Sequence, residues 1–192
     1  MKTVTSSLIG IISTMLLLML PTPAPAVSPP VVGGTLPAIT LPVPGNAAER
    51  KYLQVPGIGE FSIPQIKADV VIVEIFSMYC PYCQAEAPVL NNLYRKIESD
   101  RALQGRIRII GIGIGNSPFE VDTFRKKYAV PFPLFADADF VIHSLVGEVR
   151  TPYFIVVRNN ADGTHRVIYS KLGRIAGADE FLAEIKKLAR LN

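Results

Sequence analysis

The stretch Val70-Val71-Ile72-Val73-Glu74-Ile75-Phe76-Ser77-Met78-Tyr79-Cys80-Pro81-Tyr82-Cys83 decides how this chain is read. Val70 to Phe76 is apolar on both faces apart from Glu74, as a central strand of a covered sheet should be. Pro81 is suited to the first position of a helix, where its missing N–H costs nothing, and the helix is expected to run to about Ser99. This puts the first of the chain's only two cysteines at a helix N-terminus, where the helix dipole favours thiolate over thiol. Cys83, Glu86, Leu90, Leu93 and Ile97 follow at steps of three or four and share one face. Glu86 is therefore expected to point inward. Pro88 removes the bond to the Gln84 carbonyl and should kink the helix.

Two thiols at this spacing point to dithiol/disulfide exchange. A thiolate attacks a disulfide, forms a mixed disulfide and is displaced by a second thiol within reach. Cys80 is expected to be the exposed nucleophile. Cys83, on the inward face, is expected to be the resolving thiol, its pKa raised by burial. As a structural staple the pair would close a loop of only two residues, which constrains the unfolded chain least. The metal alternative is half a zinc site, but zinc takes four ligands and the other candidates are only His143 and His165. A copper(I)-binding chaperone module is a further alternative, since soft sulfur suits that ion. Glu74 is either a base poised by desolvation to take the proton from Cys83 or a solvated residue at a sheet margin. Glu86 either shares that role, tunes the cysteines electrostatically, or is an ordinary surface glutamate.

Outward from this centre, the next strand is Ile107 to Ile112. Ser117-Pro118-Phe119-Glu120 reads as a helix start with a capping box, and Phe119, Phe124 and Tyr128 give that helix its apolar side. Pro131 to Phe135 is expected to be a short strand and Asp139 to Val146 a short helix. Tyr153 to Val157 and Arg166 to Ser170 are expected to form a hairpin across the Asn159 to Gly163 turn. A last helix covers about Ala178 to Leu191, with Phe181, Leu182, Ile185, Leu188 and Ala189 on one side. Before the centre, Ala38 to Val43, Lys51 to Val55 and Glu60 to Ile63 read as extended pieces of a small β-hairpin. Gly111-x-Gly113-x-Gly115 is no nucleotide loop, because the third glycine of that fingerprint is Asn116.

This order, with Cys-x-x-Cys at the end of the first long strand, resembles the thioredoxin fold over about residues 36 to 192. The resemblance implies an α/β domain with a central mixed β-sheet flanked by helices, here with an N-terminal β-hairpin extension. Cys80 and Cys83 match the redox pair, Pro88 the kink-forming proline, Thr151-Pro152 the family's cis-proline, and Glu74 its buried acid. The added strand and helix, the hairpin and Glu86 are similar to the TlpA-like exported thioredoxins, which include the reductases of cytochrome c maturation. The resemblance implies a protein-disulfide reductase acting on thiol/disulfide clients and recharged by a membrane thiol donor of the DsbD/CcdA type. The Cys80–Cys83 disulfide itself would serve as the redox group, with no separate cofactor. Thr151 and Pro152 would pair with an extended substrate, with Tyr79 and Tyr82 as surface contacts beside the sulfur. Phe76, Met78 and Phe132 also border the site, Phe76 and Phe132 more as core than as rim. Tyr79 stands where tryptophan is usual, and Phe-Ser-x-x-Cys-Pro-x-Cys is locally similar to DsbA, so a DsbA-like oxidant is the alternative in redox direction. DsbA's large helical insertion has no room between Cys80 and Pro152. The Pro-x-x-x-Thr-x-x-Cys signature of peroxiredoxins is absent.

The 192 residues, 49% hydrophobic, suit one domain with a substantial core. Residues 1–26 read as a secretory signal: Met1-Lys2, an apolar stretch from Leu8 to Leu20, then Ala24-x-Ala26 as cleavage signature. The apolar part is short for a bilayer span, and an uncleaved anchor is the alternative. Either way the domain is expected in the periplasm or another extracytoplasmic, oxidising space. Residues 27–35 read as a linker or mobile N-terminus. The net charge of +4 is spread among acids rather than gathered in a stripe, so nucleic-acid binding has no footprint.

Overall fold

A computed structural model describes residues 27–160 and 162–191. The expected signal over residues 1–26 lies outside the described residues. Among the described residues no helix is long and apolar enough to cross a membrane.

The core is a five-stranded sheet built from β3 (Val70–Phe76), β4 (Ile107–Ile114), β5 (Leu134–Asp137), β6 (Tyr153–Asn159) and β7 (His165–Leu172), in the order β5-β4-β3-β6-β7. β3, β4 and β5 are parallel, and β6 runs antiparallel to both of its neighbours, β3 and β7. β3 is thus central, flanked by β4 and β6, and every one of its residues is buried. Side chains alternate along a strand, so β3 feeds two cores. Val70, Ile72 and Phe76 pack with α2 (Pro81–Ser99), α3 (Pro118–Tyr128) and α5 (Ala178–Ala189). Val71, Val73 and Ile75 pack on the other side with residues of α1 (Ala47–Leu53), α4 (Val141–Leu145) and the pair β1 (Thr40–Pro42) and β2 (Glu60–Ser62). The mixed sheet flanked by helices, with an N-terminal two-stranded extension, is the thioredoxin-like arrangement the sequence implied.

Four local expectations are corrected. Lys51 to Val55 is not extended: it falls mostly in α1, whose N-cap Asn46 accepts from the Ala48 N–H at 2.8 Å. Capping and the burial of Leu53 prevail over the surrounding Pro-Gly punctuation. β1 and β2 do pair, with α1 inside their connection rather than a tight turn. Phe119 lies outside the apolar side of α3 and is 78% exposed, whereas Val121 and Phe124 are buried. A step of five residues from Phe119 to Phe124 turns well away from one helical face. Leu188 is likewise more exposed than its partners Phe181, Ile185 and Ala189 on α5.

The stretch expected as a mobile linker is held against the domain. The Gly33 N–H donates to the Val167 carbonyl, and the Val167 N–H donates to that of Gly34, both at 2.8 Å. The segment thereby covers part of the β7 edge, whose open backbone groups would otherwise invite pairing with another chain. The glycine run in β4 also has a packing reason. A Cβ on Gly113 would stand 3.0 Å from both the Phe76 ring and Val121, and one on Gly111 would stand 2.5 Å from Leu134.

Candidate active site

The end of β3 and the start of α2 bring the two cysteines together. Cys80 is the N-cap of α2 and Pro81 its first residue. The turn between strand and helix is tied at Met78 from both sides. The Met78 N–H donates to Asn116 Oδ1, and Gln84 Nε2 donates to the Met78 carbonyl, each at 2.8 Å. Asn116 is fully buried, and its role in shaping this turn is not visible in the sequence, where it ends a glycine run. The Tyr79 hydroxyl donates to Glu120, which also caps α3 through Ser117. The rim of the site is therefore joined to the start of α3.

The two thiols are free and unequal. Cys80 is half-buried, and its thiol lies 3.4 Å from the Thr151 carbonyl, to which it donates. Burial alone would raise its pKa, but hydrogen bonding to the Thr151 side chain, apart from the carbonyl contact, and hydrogen bonds from the N–H groups of Cys83 and Tyr82 outweigh it. The net effect holds Cys80 below the ordinary cysteine value. Cys83 has no exposed surface. Burial, reinforced by the negative charge of Glu74, pushes its thiol well above the ordinary range. A low-pKa sulfur at the surface beside a high-pKa sulfur beneath it is the asymmetry that exchange requires.

Glu74 is not at a sheet margin. It sits mid-strand between Gly111 of β4 and Phe154 of β6, 2% exposed, and its Oε1 has no hydrogen-bond partner. It faces the α2 side of the sheet because it lies two positions from both Ile72 and Phe76 and shares their face. Burial first, and then the neighbouring charges of Glu86 and Cys80, push its carboxyl well above the usual carboxylate range. A carboxyl raised in this way takes a proton as its carboxylate and gives one as its acid, beside Cys83.

Glu86 also faces inward, with no exposed surface, but it is paired. Its Oε2 accepts from Arg174 Nε at 2.8 Å. Burial raises its pKa, and the Arg174 hydrogen bond and charge oppose the rise. Arg174, in the connection from β7 to α5, has no local sequence signal that marks it as Glu86's partner. The two buried carboxylates thus differ: one has a guanidinium and the other has none.

The Thr151–Pro152 peptide bond is cis. It borders a groove of about 530 Å³ whose lining includes Tyr82, Arg150, Leu172 and Arg174. Tyr79 and Tyr82 are about two-thirds exposed, while Phe76 and Phe132 are core residues. Each histidine is engaged elsewhere: His143 bonds the Val149 carbonyl, and His165 accepts from the Leu36 N–H. Among the described residues no group of three or more His, Cys, Asp or Glu side chains is gathered as metal ligands would be.

Residues 32–168 match the model of the AhpC/TSA family. Over 95 residues the chain is 30% identical to the thiol-disulfide oxidoreductase ResA of Bacillus subtilis, a stretch that covers 50% of either protein. The chain thus spans about half the length of the curated relative it matches. Among solved structures, the thioredoxin domain of a thiol-disulfide oxidoreductase from Bacteroides vulgatus aligns with a TM-score of 0.59 at 18% identity, covering 84% of this chain and 99% of that one. A secreted Mycobacterium tuberculosis disulfide oxidoreductase homologous to E. coli DsbE aligns with a TM-score of 0.52 at 22% identity, covering 68% of this chain and 90% of that one. At these identities the structural likenesses establish the fold. They agree with the thioredoxin-like resemblance carried by the cysteine pair and Thr151-Pro152.

Proposed function

This chain belongs to the AhpC/TSA family, and from that premise we propose that it is an exported thiol-disulfide oxidoreductase that reduces disulfides in protein clients. The observation that carries this reading is the inequality of the two thiols, with Cys80 half-exposed and lowered and Cys83 buried and raised. The Pro-x-x-x-Thr-x-x-Cys signature of peroxiredoxins is absent from this sequence, and the proposed chemistry rests on the dithiol.

The reaction follows from those positions. The Cys80 thiolate attacks a client disulfide, forming a Cys80–client mixed disulfide and releasing one client sulfur as thiolate. Cys83 gives up its proton, with Glu74 as acceptor, and attacks the Cys80 sulfur. The second client thiol leaves, and the protein ends with the Cys80–Cys83 disulfide. Two electrons have passed to the client. Glu86, held by Arg174, keeps a second negative charge near Glu74 and so favours proton uptake there. Recharging needs a dithiol donor, which for an exported protein is a membrane protein of the DsbD/CcdA type. Periplasmic location and a role in cytochrome c maturation belong to the same proposal, supported by the residue 1–26 signal pattern and the TlpA-like resemblance.

The test is a trapping experiment. Cys83→Ser should attack a client disulfide and stop at the mixed disulfide, which accumulates as a covalent adduct on non-reducing gels and disappears on adding dithiothreitol. Should Cys83→Ser release product at the wild-type rate without adduct, the proposal fails.

A further inference from the structure

The groove beside the sulfur carries a charge pattern that the exchange reaction alone does not require. Thr151, whose carbonyl accepts from Cys80 Sγ, is among its lining residues, so the groove adjoins the reacting sulfur. Its apolar surface comes from Pro152, Leu172 and the exposed Tyr82 ring. Its charged members are both arginines, Arg150 and Arg174, and no carboxylate lines it. Arg150 is exposed and makes no ion pair among the described residues. Arg174 spends Nε on Glu86 and Nη2 on the Ala85 carbonyl, yet its side chain remains 44% exposed. Glu86 itself has no exposed surface, so it offers an incoming segment no accessible negative atom.

We infer that this groove selects client disulfides whose cysteine is flanked within about two residues by a carboxylate side chain, with Arg150 as the main determinant and Arg174 in support. The inference rests on the exchange reaction proposed above and names its substrate class. An extended segment advances roughly 3.3 Å per residue. A client cysteine at Cys80 therefore brings its close neighbours past Thr151 to Arg150. A guanidinium on a carboxylate makes a charge-assisted, directional contact, and the apolar surface accepts the intervening side chain. A lysine at the same client position meets like charge, which disfavours binding.

The experiment uses three otherwise identical peptides, each with one cysteine held in a mixed disulfide with 2-mercaptoethanol and flanked by Glu, Gln or Lys. Pre-reduced protein in excess reduces each in a single turnover. The peptide thiol and 2-mercaptoethanol leave, and the protein takes up the Cys80–Cys83 disulfide, so no further reductant is needed. Rates are divided by those with dithiothreitol, a neutral reductant, to remove differences in intrinsic disulfide reactivity. The Glu peptide should react about tenfold faster than the Lys peptide, the Gln peptide should fall between, and the spread should shrink as salt is raised. Arg150→Glu, checked for an unchanged thermal transition, should invert the order. Equal normalised rates for the three peptides on wild-type protein, or an Arg150→Glu variant with the original order, would overturn the inference while leaving the exchange reaction intact. If no peptide is reduced at all, the exchange reaction and this inference fall together.

Discussion

Cys80→Ser should reduce insulin-disulfide turnover to the background rate of the reductant alone while leaving the fold as stable as before, or slightly more stable. The argument for activity is that no other thiol can start the reaction. Cys83 is fully buried and its thiol is pushed well above the ordinary range, so it is neither accessible nor ionised. The argument for stability is the N-cap. Cys80 occupies that position without a side-chain capping bond, whereas serine there accepts from the second or third helical N–H and is among the preferred capping residues. Thermal unfolding measured beside the insulin assay separates lost chemistry from lost structure. Residual turnover well above background in Cys80→Ser would mean that the first attack is made elsewhere.

Glu74→Leu should stabilise the domain at neutral pH by about 1–3 kcal/mol, because it removes a buried polar group with an unpartnered oxygen. The pH dependence carries a sign. Burial raises the folded-state pKa of Glu74 above its ordinary value of 4.5, so above that pH the unfolded chain releases a proton that the folded protein keeps. The contribution of Glu74 to stability is therefore greatest below about pH 4.5 and falls as pH rises toward the folded-state pKa, by up to about 1.4 kcal/mol per pH unit. Glu86 is shifted in the same direction, so Glu74→Leu should make the slope shallower without abolishing it. The same substitution should lengthen the life of the mixed disulfide by about 100-fold, the lower range of general-base effects. Denaturant titrations at several pH values and quenched-flow trapping read the two effects. A variant no more stable than wild type, with an unchanged slope and unchanged resolution, would show Glu74 to be a bystander.

The parts of this molecule that follow a local pattern were legible in its sequence. The α2 face from Cys83 to Ile97 is buried as its spacing required, because helical periodicity is a property of the segment itself. β3 could be placed centrally because apolar residues occupy both of its faces. The cis geometry of Thr151–Pro152 came only through the family resemblance, since few X-Pro bonds adopt it. What escaped depends on contacts distant in sequence. Arg174 pairs with Glu86 across 88 positions, and Asn116 reaches Met78 across 38. Neither residue differs locally from a surface arginine or a turn asparagine. The small helix α1 escaped for another reason: its single capping residue, Asn46, lies directly after Pro44-Gly45, and the turn signal masked the helix start.

The most direct test of the central claim is the equilibrium reduction potential of the Cys80–Cys83 pair, measured against dithiothreitol and glutathione buffers. A reductase should give a value near that of thioredoxin, about −270 mV, and a value near that of DsbA, about −120 mV, would contradict the proposed direction of electron flow.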